Sequence, residues 1–261
     1  MSTLLLHAIA RLVAALSWRD AQKLGSFLGF VWYHLLRIRR RTVFANLATA
    51  LPERREEHAR IARESYRNLC VSALELVRTR SMTAEEIMER VHPSGLEHFE
   101  KALAKGRGVV VMTAHFGNFD LLAVSQAARG VPLAIASREM RAGASNRFWM
   151  ETRSALGLAI FTERDFARRA LPWLRAGRVL GLVIDQRTKA RRGGILSPFF
   201  GVRVWTSTAA ARLASRTGAA IVPVRIERGE DGDHDLIVEP ELELPEPDDP
   251  DFVSKVTAAC N

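Results

Sequence analysis

Four short runs of apolar, largely β-branched residues are separated by segments long enough to hold helices: VVVMT at 109–113, PLAIA at 132–136, VLGLVI at 179–184 and AIVPVRI at 220–226. Strands that are apolar throughout, rather than alternating, are buried on both faces, and strands that alternate with helices pair in parallel. The chain is therefore expected to hold an α/β fold, with a mainly parallel central sheet flanked by helices over residues 108–261. A last run, Leu236 to Val238, is expected to add an edge strand. Residues 42–90 are rich in Ala, Leu, Arg and Glu, within a layer taken as 42–107. Pro52 opens a helical stretch through Val77 and Thr83 caps a shorter helix, so this part reads as a helical layer.

The first 41 residues are a separate matter. Leu4 to Leu16 is apolar but interrupted by His7 and Arg11, and Leu24 to Leu36 is followed by Arg37, Arg39, Arg40 and Arg41. As a helix the second run reaches roughly 20 Å, short of the ~30 Å hydrocarbon core of a bilayer. With Trp18, Trp32 and Tyr33 nearby, the segment suits a membrane-associating helix lying in one leaflet or a re-entrant hairpin. A pair of core helices with a solvated basic end is the alternative. The domains are accordingly taken as 1–41 and 42–261.

Hydrophobic residues make up 48% and charged residues 26%, values that exclude a disordered chain and a polytopic membrane protein. The net charge of +9 is unevenly spread: residues 227–261 carry 2 basic and 12 acidic side chains, leaving +19 on residues 1–226. A basic body of that size favours an anionic partner, whether membrane surface, nucleic acid or phosphorylated substrate. No recognisable nucleic-acid module accompanies it. Cys70 and Cys260 form neither a metal-ligand cluster nor a disulfide framework, so no metal site is expected.

Ligands of an open parallel sheet bind beyond the carboxyl ends of its strands. After VVVMT come His115, Phe116, Gly117, Asn118, Phe119 and Asp120; after VLGLVI come Asp185, Gln186 and Arg187. A histidine five residues before an acid also occurs at His92/Glu97 and His234/Glu239, so spacing alone selects nothing. His92 precedes Pro93 outside any expected strand, and His234 to Glu239 runs along one. His115, by contrast, falls in the loop after a strand. There Gly117 permits a turn, Asn118 can cap the next helix, and Asp120 in its first turn can fold back towards the imidazole. A carboxylate on one imidazole nitrogen fixes the tautomer while the other nitrogen takes a proton from a hydroxyl. With no GxSxG elbow present, that hydroxyl is expected to belong to the substrate. A capped helix with a buried histidine is the structural alternative.

The blocks RRRTVFANL at 39–47, TAHFGNFDLLA at 113–123, the Arg-rich region 138–157, VIDQRT at 183–188, SPFFG at 197–201 and TSTAAARLASRTGAAIVPV at 206–224 together resemble the lipid A biosynthesis acyltransferases and the related mycobacterial phosphatidylinositol mannoside acyltransferases. The resemblance implies a glycerolipid acyltransferase-like fold. It also implies transfer of a fatty acyl group from a thioester of acyl carrier protein or coenzyme A to a hydroxyl of a membrane glycolipid, such as a lipid A precursor, at the cytoplasmic face of a bacterial inner membrane. It implies no cofactor. His115 would be the base and Asp120 its orienting acid. Asn118, Arg138, Arg147, Arg153, Asp185, Gln186 and Arg187 would contact substrate, and Phe199 and Phe200 would line the acyl channel. The bland alternatives are solvated arginines, a turn-capping Asp185 and two packed phenylalanines. A thioesterase or lipid hydrolase using water at the same site, and a non-catalytic basic membrane-binding protein, are the competing functions. The family continues beyond the point where this chain ends at TAACN, so its C-terminal helix is expected to be truncated.

Overall fold

The computed structural model describes residues 3–138 and 143–261. The chain divides into two compact units, Met1–Met82 with Phe200–Val202, and Thr83–Phe199 with Arg203–Asn261.

The first unit is helical: α1 (Thr3–Ala14), α2 (Trp18–Val31), a π-helical turn (Trp32–Leu36), α3 (Arg40–Ala50) and α4 (His58–Arg78). Ser17 starts α2 by accepting a hydrogen bond from the Asp20 backbone N–H. Pro52 stands at the first position of a 3-10 turn leading into α4, where its missing N–H costs nothing. Gly25 and Gly29 bring α2 directly onto α4, since a Cβ at either would lie 2.6 Å from the Cα of Val71 or Arg67. Tyr33, Ala62 and Tyr66 form a small core with Phe44 and Leu47 packed against it. Much apolar surface stays outside, including Leu12 (71% exposed), Leu35 (70%), Phe27, Phe30, Leu36 and Ile38. No helix among the described residues is long and apolar enough to cross a membrane.

The second unit comprises α5 (Ala84–Met88), β1 (Val91–Ser94), α6 (Leu96–Leu103), β2 (Val109–Thr113), α7 (Phe119–Ala128), β3 (Leu133–Ser137), α8 (Gly143–Ser154), β4 (Ala159–Thr162), α9 (Phe166–Arg175), β5 (Val179–Val183), β6 (Ile195–Phe199), β7 (Val202–Thr206), α10 (Ala209–Thr217), β8 (Ala220–Arg228), β9 (His234–Val238) and α11 (Phe252–Ala259). Seven strands form one sheet in the order β1-β9-β8-β2-β5-β3-β4, parallel except for the β8–β9 pair, while β6 and β7 pair separately. The α/β expectation holds, with helices flanking a mostly parallel sheet. Even-numbered strand residues such as Val110, Ala134 and Leu180 join Leu174, Ala210 and Leu213 in the core under α9 and α10. On the other face Val111, Leu133, Ile135, Val179 and Gly181 lie on the side of α6 and α7, and in β4 and β8 the parity is reversed, so that Phe161 and Ile221 join the core under α9 and α10. Thr83 caps α5 in a full capping box with Glu86.

Three sequence expectations need correction. Leu236–Val238 is not an edge strand, because β9 lies between β8 and β1. His92 and Pro93 are not outside a strand; they belong to β1, which is itself the edge. Pro93 is tolerated there because an edge strand has one side without ladder partners, so a missing N–H loses no bond. That strand also interrupts the stretch read as purely helical. Strands β4, β6 and β7 lie outside the expected runs, although β4 carries the short apolar run Leu158 to Phe161.

Candidate active site

Strand β2 ends at Thr113 and leads into the loop that carries His115. At Gly117 the loop turns with φ +56°, and a Cβ there would overlap the Ile226 carbonyl oxygen, so only glycine fits. Asn118 is 1% exposed, and its side chain accepts from the Leu121 N–H at 3.0 Å, capping α7 as expected. That bond holds the Asn118 side chain at the start of α7.

The imidazole partner is not the one expected from spacing. His115 Nδ1 lies 2.7 Å from Asp185 Oδ1, and the His115 backbone N–H donates to Asp185 Oδ2 at 3.0 Å. Asp185 follows β5, and β5 is the neighbour of β2 in the sheet, so the residues just past the two strands meet at its carboxyl edge. A carboxylate only accepts, so Nδ1 carries the proton and Nε2 presents its lone pair. The Gln186 amide nitrogen faces that lone pair at 3.1 Å, and Phe119 packs edge-on against the ring. Burial pushes the Asp185 carboxyl up. The hydrogen bonds from the His115 ring and backbone, with the attraction of a charged imidazole, outweigh it and hold the group below the usual carboxylate range.

Asp120 is in the first turn of α7 but engages Arg153 instead of His115. The Arg153 Nε and Nη2 donate to the two carboxylate oxygens at 2.7 and 3.0 Å, and both side chains are more than four-fifths buried. A bidentate guanidinium matches both oxygens of the carboxylate at once, which a single imidazole nitrogen cannot do. Arg153 Nη1 also reaches Ser137 Oγ at 3.4 Å, tying α7 and α8 to the end of β3.

Arg138 donates to Glu163 at 2.7 Å and Arg192 meets the same carboxylate at 3.1 Å. The hydrogen bond from Arg138 comes first among the causes that hold Glu163 low. Arg147 on α8 and Arg187 are exposed. The basic block 138–157 includes residues 139–142, which lie outside the described residues.

Beneath His115 a cavity of about 400 Å³ runs between the sheet and helices α6 and α7. Val111, Leu133, Ile135, Gly181 and Val183 form its floor, Phe119, Leu122 and Ala123 its roof, and His115, Asp120, Arg153 and Gln186 its polar rim. Phe199 and Phe200 are not among its lining residues; they belong to the β6–β7 region, and Phe200 is 57% exposed. The apolar walls come instead from α7, from strand positions of period two, most of them outside the motif blocks, and from α6, which the blocks do not touch. Leu96, Phe99 and Ser137 escaped notice for that reason. Among the described residues no group of three or more His, Cys, Asp or Glu side chains is placed to hold a metal ion.

A histidine hydrogen-bonded to a carboxylate at the carboxyl edge of a mostly parallel sheet, beside an apolar cavity, places the chain among α/β enzymes. More narrowly, the chain belongs to the bacterial lipid A biosynthesis acyltransferase family, whose family model it matches over residues 1–261. It is 27% identical over 172 residues to a phosphatidylinositol mannoside acyltransferase of Mycobacterium tuberculosis, covering 64% of this chain and 51% of that one. It is 22% identical over 168 residues to a lipid A biosynthesis acyltransferase of Haemophilus influenzae, covering 64% and 52%. It is 24% identical over 226 residues to a lipid A biosynthesis palmitoleoyltransferase of Escherichia coli, covering 84% and 72%. The chain thus spans about half the length of the mannoside acyltransferase it matches.

Proposed function

We propose that this protein transfers a fatty acyl group from an acyl thioester to a hydroxyl of a membrane glycolipid. The observation that carries the reading is the 2.7 Å contact of His115 with Asp185 at the mouth of the apolar cavity; family membership supports it. The acceptor O–H gives its proton to Nε2 as its oxygen attacks the thioester carbonyl carbon. The C–S bond then breaks, and the departing thiolate takes the proton from the imidazolium. Asp185 stays ionised throughout, holding Nδ1–H and stabilising the transient positive charge. For this to happen the acceptor hydroxyl must replace the Gln186 amide at Nε2.

The donor is an acyl thioester of acyl carrier protein or coenzyme A, both anionic and matched to the basic body of the chain. Arg138, Arg147 and Arg187 are exposed and suit phosphate groups of donor or acceptor. Residues 1–41, with their outward apolar side chains beside Arg37, Arg39 and Arg41, are assigned to association with an anionic bilayer, at the cytoplasmic face of the bacterial inner membrane.

The test is incubation of the protein and its His115→Ala variant with labelled acyl carrier protein or acyl coenzyme A and a bacterial lipid extract, with products identified by mass spectrometry. A labelled glycolipid that disappears with His115→Ala is the expected outcome. Free fatty acid as the sole product would replace the reading with a hydrolase, and undiminished transfer by the variant would remove His115 from the base role.

A further inference from the structure

Gly181 stands in the middle of β5, a strand interior where glycine weakens pairing and marks the close approach of another group. Nothing in the backbone demands it. Its φ is not positive, and a Cβ built there would press on the Ile135 side chain, with Cγ2 at 3.2 Å and Ala134 O and Leu133 Cδ1 at 3.7 Å, so the neighbour must yield by a few tenths of an ångström. Other glycines of this unit differ: at Gly95, Gly108 and Gly117 φ is positive and a Cβ would strike a carbonyl oxygen. What the missing side chain leaves open is the cavity.

The register gives the cavity a depth scale. Thr113 pairs with Val183 at the level nearest His115, Val111 and Ile135 both pair with Gly181 one step down, and Leu133 pairs with Val179 at the bottom. All of these side chains line the cavity, whereas Leu180 and Leu182 of the same strand turn to the core on the opposite face. Four residues from Val183 to Val179 descend ~13 Å at ~3.3 Å per residue. An extended chain advances ~1.2 Å per bond, because three bonds of extended backbone span ~3.5 Å. The descent thus holds about eleven bonds of an acyl chain, and Gly181 lies about halfway along it.

We propose that Gly181 is the specificity-determining position for acyl length: its absent side chain lets the chain pass from the upper level of the cavity to Val179 and Leu133. The proposal rests on the acyl-transfer reading for its biological meaning, but the cavity's ability to measure an apolar chain can be tested without turnover.

The experiment measures binding of saturated fatty acids from hexanoate to stearate to the full chain and to its Gly181→Ala, Gly181→Val and Leu182→Val variants. Circular dichroism checks the fold of each. Transfer from acyl thioesters of the same lengths is measured in parallel. In the unaltered protein, affinity is expected to rise about fourfold per buried methylene until the cavity is filled, then level off. Gly181→Val should level off at roughly half that length, with Gly181→Ala between, and the optimum for transfer should move the same way. Leu182→Val, on the face of the same strand that turns away from the cavity, should leave the plateau in place. If Gly181→Val does not fold, Gly181→Ala carries the comparison. Profiles that keep their shape in the folded Gly181 variants, a plateau that moves as far with Leu182→Val as with Gly181→Val, or no fatty-acid binding by the unaltered protein would each overturn the proposal. A shifted binding plateau without any acyl transfer would uphold the cavity's length limit while removing the acyltransferase reading. Intact transfer with an unshifted optimum would do the reverse.

Discussion

Asp185 receives two hydrogen bonds from His115, one from the imidazole at 2.7 Å and one from the backbone N–H at 3.0 Å, across 70 positions of sequence. The double contact fixes both the tautomer and the place of the ring, so the carboxylate and the loop act as one unit. Asp185→Asn removes the acceptor that requires Nδ1–H and lets the proton move to Nε2, where the base must be free. The kcat for transfer should fall on the order of 10³-fold, with little change in KM for the thioester. A kcat within tenfold of the parent would exclude Asp185 from orienting the base.

The pH dependence of stability should carry the signature of the same pair. The carboxyl of Asp185 is held below its ordinary 3.8, by His115 against the opposing push of burial. Because the folded-state value is the lower one, the pairing contributes fully above about pH 4 and is progressively lost as pH falls through the lowered value. The difference in unfolding free energy between the parent and Asp185→Asn should therefore be constant at mildly acidic pH and shrink below about pH 4. Urea titrations across that range check it; a difference that grows on acidification would contradict the pairing.

Arg153 and Asp120 make a stability prediction distinct from the catalytic one. Arg153→Ala leaves a largely buried carboxylate without its partner, at a cost of about 3 kcal/mol. Replacing both residues, Asp120→Leu with Arg153→Met, should recover much of that loss, since the double change leaves no uncompensated charge. Denaturant midpoints of the three variants decide it, and an Arg153→Ala midpoint equal to that of the parent would mean that the ion pair contributes nothing.

Gly117→Ala should disturb the loop that carries His115. The residue sits at φ +56° with the Ile226 carbonyl oxygen where a side chain would go, so strain of at least about 2 kcal/mol is expected. The backbone must also shift, and the His115–Asp185 distance with it. Reduced stability together with a lower kcat, measured by thermal unfolding and thioester turnover, is the expected pattern. Unchanged stability would show that the turn relaxes without strain.

The exposed apolar side chains of the helical unit give a membrane prediction. Leu12, Phe27, Leu35 and Leu36 are exposed, and Leu35 and Leu36 directly precede the run Arg37, Arg39, Arg40 and Arg41. Leu35→Glu with Leu36→Glu should weaken sedimentation with phosphatidylglycerol vesicles at least tenfold, while binding of the parent should fall as salt rises. Equal binding by parent and variant would exclude this face from membrane association.

Much of the α/β architecture could be read from apolar runs alone, because burial on both faces demands continuous hydrophobicity in a strand whatever its neighbours. Strand β2 matches its expected span, and β3, β5 and β8 begin or end within one or two residues of theirs. The loop chemistry around His115 was equally legible, since a turn glycine and a capping asparagine act through their own backbone: Gly117 has positive φ and Asn118 caps α7. What local chemistry could not decide was which carboxylate serves the imidazole. That depended on β5 lying beside β2, and adjacency in a sheet is set by packing of whole elements rather than by any neighbouring residue. The same ordering turned β9 from an edge into an interior strand, joined Asp120 to Arg153, and aligned Val111, Ile135 and Gly181 at one depth of the cavity. Residue type and local spacing determine the kinds of group available and the elements that carry them; only long-range packing, which fixes distances across dozens of residues, determines which of them meet.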